Sequence, residues 1–191
     1  MNATTWNQRV LTEHGSILQS WEWGQVQQAA GHTVHRLEVR NTLAQIIVMP
    51  TVFGRTLLFS PYGPVGKITP ALAADWRAVL LPLAKQHRAL AWRYENGGAS
   101  LGGKLAATVH PQRTWITSLV EPEQLRQQFK AKWRYNIGVA ERHGVTVRAS
   151  INPVDVTLFY SLLQTTAQRQ GIRLHAESYY RLILETLATT N

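Results

Sequence analysis

The apolar residues of this chain come in short runs whose spacing switches between two and about three and a half. That switching leaves only a mixed α/β fold open to it. Val34–Arg40 and Leu43–Met49 read as strands joined at Asn41-Thr42, with a third at Arg55–Phe59 and a compact fourth at Leu90–Tyr94. Trp21–Ala30 reads as a short helix with Ser20 placed to cap it. Leu72, Trp76, Val79, Leu80 and Leu83 give Pro70–His87 helical periodicity. The longest apolar stretches, Leu43–Pro50 and Ala78–Ala84, fall well short of the roughly 18–20 residues of a membrane span. The 191 residues suit one domain or one and a half, and a 45% hydrophobic content can build a core. With no Cys, disulfides, thiolate metal sites and thiol nucleophiles are excluded. Met1 to Trp6 shows no basic segment followed by an apolar one, so the expectation is a soluble, cytoplasmic protein.

Charge narrows the class of partner. The net charge is +9, carried by fifteen Arg and five Lys. Guanidinium forks suit phosphate and carboxylate, and their placement is uneven. Arg126, Lys130, Lys132, Arg134, Arg142 and Arg148 face a single acid, Glu141, within one segment. The spacing of Leu125, Phe129, Trp133, Ile137 and Ala140 predicts one helix over Pro122–His143 with a buried face, stopped by Gly144. Arg126, Lys130 and Arg134 follow one position later, so they form a basic rail about 100° round that helix. Strands are expected near Thr114–Leu119 and at Val145–Ala149. Asn152-Pro153-Val154-Asp155 opens a further helix, with Asn as cap and Pro first, and Glu177–Leu187 forms the last. The seven Trp, spread along the chain, read mainly as core, with Trp21, Trp23 and Trp133 as alternative stacking faces for a base.

Several tempting motifs fail on chemistry. Gly98-Ala99-Ser100-Leu101-Gly102-Gly103-Lys104-Leu105 approaches a phosphate loop, yet Leu105 stands where a magnesium-binding hydroxyl is needed. His32 and His35 lack a third metal ligand nearby. No Gly-x-Ser-x-Gly elbow is present. The acyl-CoA pyrophosphate pattern starts correctly before Gly31 and Gly171, but Thr33 and Arg173 spoil its end.

Five short motifs then fall in one order. They are Gln19-Ser20-Trp21-Glu22-Trp23-Gly24-Gln25-Val26, Ser60-Pro61-Tyr62-Gly63-Pro64-Val65, Lys132-Trp133-Arg134-Tyr135-Asn136-Ile137, Ala140-Glu141-Arg142-His143-Gly144-Val145 and Thr165-Thr166-Ala167-Gln168-Arg169-Gln170-Gly171. In this the chain resembles the FemABX family of peptidoglycan-bridge aminoacyltransferases along essentially its whole length. The resemblance implies an acetyltransferase-like (GNAT) fold, a mixed sheet flanked by helices. Residues 1–149 would form a first subdomain and 150–191 the incomplete beginning of a second. It also implies transfer of an amino acid from aminoacyl-tRNA to the stem-peptide amine of UDP-MurNAc-pentapeptide or lipid II. No cofactor, peripheral association with the inner membrane face and a monomeric state go with that expectation.

The resemblance also assigns roles. Arg169 matches the arginine that grips the precursor's diphosphate; its alternative role is to complement a helix dipole. Glu95 matches a family acid able to orient the acceptor amine or take its proton, with Asn96 replacing the family's proline; a surface pair with Arg93 is the alternative. Gln27, after Trp23, and Tyr62, before Gly63-Pro64, stand where relatives carry phosphate-contacting cations. Arg126, Lys130, Lys132 and Arg134 would meet the tRNA backbone. Two other readings stay open: a non-catalytic basic RNA-binding or structural module, and an acyl-CoA N-acetyltransferase.

Overall fold

The computed structural model describes residues 1–95, 101–107, 109–111 and 113–188. Its elements run α1 (Ala3–Thr12), α2 (Trp21–Ala29), β1 (Thr33–Val39), β2 (Thr42–Pro50), β3 (Thr56–Ser60), α3 (Ala73–Gln86) and β4 (Ala89–Tyr94). Then follow α4 (Pro122–Gln128), α5 (Ala131–Arg142), α6 (Val154–Gln170) and α7 (Glu177–Ala188). The chain divides into two units, Met1–His110 with Asn152–Asn191, and Pro111–Ile151.

In the first unit the strands form a mixed sheet in the order β1-β2-β3-β4. The first three make an antiparallel meander, while β4 returns through α3 to pair parallel with β3. Strand β2 is buried on both sides, and successive side chains alternate between two cores. Ala44, Ile46 and Val48 pack with Leu58 of β3 and with Trp76, Leu80 and Leu83 of α3. Leu43 points the other way, into a cluster with Trp6 and Val10 of α1 and Val65. Helices thus cover both faces, and Trp76 Nε1 donates to Thr42 Oγ1 at 3.1 Å to keep the α3 side dry without an unpaired indole. On the same unit, α7 packs against α2 and α6.

The mixed sheet flanked by helices agrees with the fold class read from the sequence. Helix α1 is an addition to that reading: Asn2 caps it by accepting from Thr5 N–H, and Trp6 and Val10 stand one turn apart. Asn152 likewise accepts from Val154 N–H, so the helix begins just after Pro153 rather than at it.

The second unit departs from expectation. The single helix over Pro122–His143 is two, because Phe129 and Lys130 have extended backbones, with ψ of 143° and 150°. The guanidinium of Arg134 donates back to the Gln127 and Phe129 carbonyls, satisfying groups that a continuous helix would have bonded internally. None of Leu125, Phe129, Trp133, Ile137 and Ala140 is fully buried, and Trp133 is 63% exposed. The strands expected near Thr114–Leu119 and at Val145–Ala149 are absent: with no partner ladder among the described residues, both segments are irregular and exposed. Trp115, 90% exposed, and Trp133 also depart from a core role, whereas Trp6 and Trp76 fulfil it. No helix among the described residues is long and apolar enough to cross a membrane.

One contact ties β1 to the end of α3. His35 Nε2 and His87 Nε2 lie 2.9 Å apart, so one ring donates and the other accepts. Burial first, and the neighbouring His87 second, push the His35 imidazole below its ordinary 6.5. A lowered imidazole value means the unfolded chain binds more protons, so this contribution is complete above pH 6.5 and is lost as the pH falls below it. Unfolding midpoints in urea should therefore drop between pH 7.5 and 5.5, and His35→Gln should flatten that drop. An equal drop in the variant would place the sensitivity elsewhere.

Candidate active site

The Ser60–Pro64 turn is built from the core outward. Ser60 is buried and accepts from Trp92 Nε1 at 2.9 Å. Gln19, fully buried, donates through Nε2 to the Pro61 carbonyl at 2.7 Å and accepts through Oε1 from Gln45 N–H at 2.7 Å. A Cβ on Gly63 would come within 2.8 Å of the Gln19 amide, which explains the glycine. The Tyr62 backbone takes φ of 49°, a left-handed conformation uncommon for a residue with a side chain. The Gly63 carbonyl then accepts from Glu95 N–H at 3.0 Å, so the turn anchors the residue that leaves β4.

Glu95 meets three donors. Its Oε2 lies 2.6 Å from His110 Nδ1, and its Oε1 accepts from Val109 N–H at 3.0 Å and more weakly from His110 N–H at 3.4 Å. Burial alone would raise the carboxyl, but the hydrogen bonds from His110 and from the two backbone amides outweigh it, and Glu95 is held below its ordinary value. Aromatic rings enclose the imidazole. Phe59 lies parallel to it with centroids 5.9 Å apart, and Tyr62 is tilted against it at 5.1 Å. Phe59 and Arg93 are register partners on β3 and β4, opposite in facing to Leu58 and Trp92 beneath α3. Arg93 donates to the Ala107 carbonyl.

The Trp21-Glu22-Trp23-Gly24 motif has a packing explanation. A Cβ on Gly24 would fall 2.2 Å from Gln45 Oε1 and 2.3 Å from Arg36 Nη2, so a side chain there would displace the ends of both. Arg36 lies over the Trp21 ring at 3.8 Å and donates to the Trp21 carbonyl at 2.8 Å. Burial, opposed by Glu22, lowers the Arg36 guanidinium from its ordinary value.

The expected site residues are distributed unevenly over this geometry. Glu95 and Tyr62 meet through His110. Gln27 is buried and donates to the Tyr179 hydroxyl at 3.2 Å, an α2–α7 contact. Trp23 is half-buried on α2, and Arg169 is exposed in the last turn of α6, ahead of the left-handed Gly171. In the second unit Arg126 and Arg134 line an open cavity of about 420 Å³ with Glu123 and Gln127. Arg126 forks onto Glu141 at 3.3 Å, while Lys130 and Lys132 are exposed. Asn96 and the first residues of the Gly98–Leu105 stretch lie outside the described residues. The sequence does not single out His110 or give the supporting Gln19 its role; a histidine in a stretch without periodicity carries no local signal.

The mixed sheet flanked by helices has a counterpart among solved structures. The whole chain superposes on a structure titled "Crystal structure of FemX" with a TM-score of 0.72 and 19% identity, covering 100% of this chain and 55% of that one. Residues 101–190 match the model of the FemAB family. It spans about 55% of the length of the FemX chain. No curated protein matches it.

Replacing Gln19 by Leu should leave the Pro61 carbonyl and the Gln45 amide buried without partners. The expected cost is about 1–3 kcal/mol for each orphaned group, read by urea unfolding. A change below about 1 kcal/mol in total would mean that water reaches the turn.

Proposed function

We propose that this chain serves peptidoglycan bridge synthesis, as part of a transferase that moves an amino acid from aminoacyl-tRNA to the stem-peptide amine of a precursor. The observation that carries the reading is the FemAB family match over residues 101–190, on a chain whose entire fold follows FemX. In the same reading 1–149 is a first acetyltransferase-like subdomain and 150–191 opens a second. Arg169 binds the diphosphate of UDP-MurNAc-pentapeptide or lipid II.

The chemistry asks little of side chains. The donor is an activated ester and the acceptor a primary amine, so holding the two in line supplies roughly 7–11 kcal/mol of the barrier reduction. No covalent enzyme intermediate is needed. The exposed Arg169 can form a bidentate pair with a phosphate.

In the decisive experiment the full chain is given charged tRNAs and either UDP-MurNAc-pentapeptide or lipid II. Formation of an amide-linked product supports the reading. A chain that binds neither acceptor and forms no product with any charged tRNA would sink it.

For the tRNA interface, Lys130 and Lys132 give cleaner variants than Arg134, which also closes the end of α4. Lys130→Ala with Lys132→Ala should weaken tRNA binding and reduce the salt slope by about 1 for each phosphate no longer neutralised. A slope equal to that of the unaltered chain would make these two lysines ordinary solvated charges.

A further inference from the structure

We propose that His110 takes the proton of the acceptor amine during transfer and that Glu95 is the positioning residue that holds its imidazole. This rests on the aminoacyl-transfer reading above and goes beyond it by naming the base.

Glu95 is poorly placed for that work itself. Both carboxylate oxygens are occupied, Oε1 by two backbone amides and Oε2 by the imidazole. Those bonds favour the ionised form and leave a carboxylate that binds a proton weakly. Its side chain is 13% exposed, against 27% for His110, so an incoming amine reaches the imidazole more readily.

The imidazole, by contrast, is prepared. An ionised carboxylate can only accept, so the ring proton sits on Nδ1 and the lone pair of the neutral ring is on Nε2. Glu95 stabilises the imidazolium that forms when Nε2 takes a proton. Phe59 and Tyr62 hold the ring plane from the side, so little rotational freedom remains to be lost when substrate arrives. The charged and titratable groups around it are Glu95, the Tyr62 phenol and, on the same face of β4, Arg93, whose guanidinium is drawn to the Ala107 carbonyl.

The step balances without a cofactor. The amine nitrogen attacks the ester carbonyl and forms the N–C bond while its N–H proton passes to His110 Nε2. The ester C–O bond then breaks, and the imidazolium returns that proton to the departing ribose oxygen. An amide, a free hydroxyl and neutral imidazole result.

The test uses the full chain, labelled with nitrogen-15 for the histidine spectrum, and UDP-MurNAc-pentapeptide as the probe. The free chain should show His110 with its proton on Nδ1, and the probe should shift Nε2 while leaving Nδ1 in place. In transfer assays His110→Gln should lower kcat about 10²–10⁴-fold and change the acceptor KM little. Glu95→Gln should loosen the Nδ1 tautomer in the nitrogen-15 spectrum and lower kcat with little change in the acceptor KM. A proton on Nε2, a probe that binds without shifting Nε2, or a His110→Gln chain with undiminished kcat each overturns the assignment while transfer itself stands. A chain that neither binds the probe nor transfers removes the transfer reading, and the base with it.

Discussion

One buried amide holds the sheet, the helices and the candidate site in register. Gln19 has no access to water, so each of its polar atoms must be satisfied inside the protein. Its side chain bridges β2 and the Ser60–Pro64 turn, and its backbone carbonyl accepts from Trp6 Nε1 at 2.7 Å. Three segments distant in sequence therefore share one residue whose hydrogen bonds have narrow geometric tolerance. Gly63 continues the chain of constraints, since it accommodates the Gln19 amide and accepts the Glu95 N–H. Burial of apolar surface stabilises this region without direction; the Gln19 bonds decide which arrangement is adopted.

The same logic explains how a carboxylate and an imidazole become a matched pair. Glu95 in isolation is an ordinary surface acid at the end of a strand. Two backbone amides and an imidazole nitrogen turn it into a fixed counter-charge. The charge is held by dipoles that are already oriented, so little reorganisation is required when a proton moves nearby. Elsewhere cations serve the fold: Arg36 on Trp21, Arg126 on Glu141 and Arg134 on the end of α4. The basic segment is thus less uniform than its composition suggests: its six cations are all exposed, but Arg126 and Arg134 also make contacts within the fold.

Much of the sheet is legible in the sequence because its signals are local. The apolar run of β2, the cap at Ser20 and the stop at Gly144 rest on neighbours a few residues away, and each appears where the pattern puts it. Other elements escape where a local pattern needs a distant partner. Val145–Ala149 alternates like a strand, yet no ladder meets it among the described residues. The periodicity from Leu125 to Ala140 runs straight through Phe129 and Lys130, where the backbone is extended. Periodicity records which side chains share a face and says nothing of a break that leaves the spacing intact.

By itself the sequence determined the class of fold and the strand and helix succession of the first hundred residues from α2 onward. It also marked Glu95 and Tyr62 as residues of interest. Only the tertiary structure decided that these two meet at His110, that Gln27 is turned inward to Tyr179, and that Gln19 binds the site to the core. The reason is physical: strand and helix propensity act over a few bonds along the chain. The pairing of Glu95 with His110 joins residues 15 apart in sequence, and no local spacing encodes it.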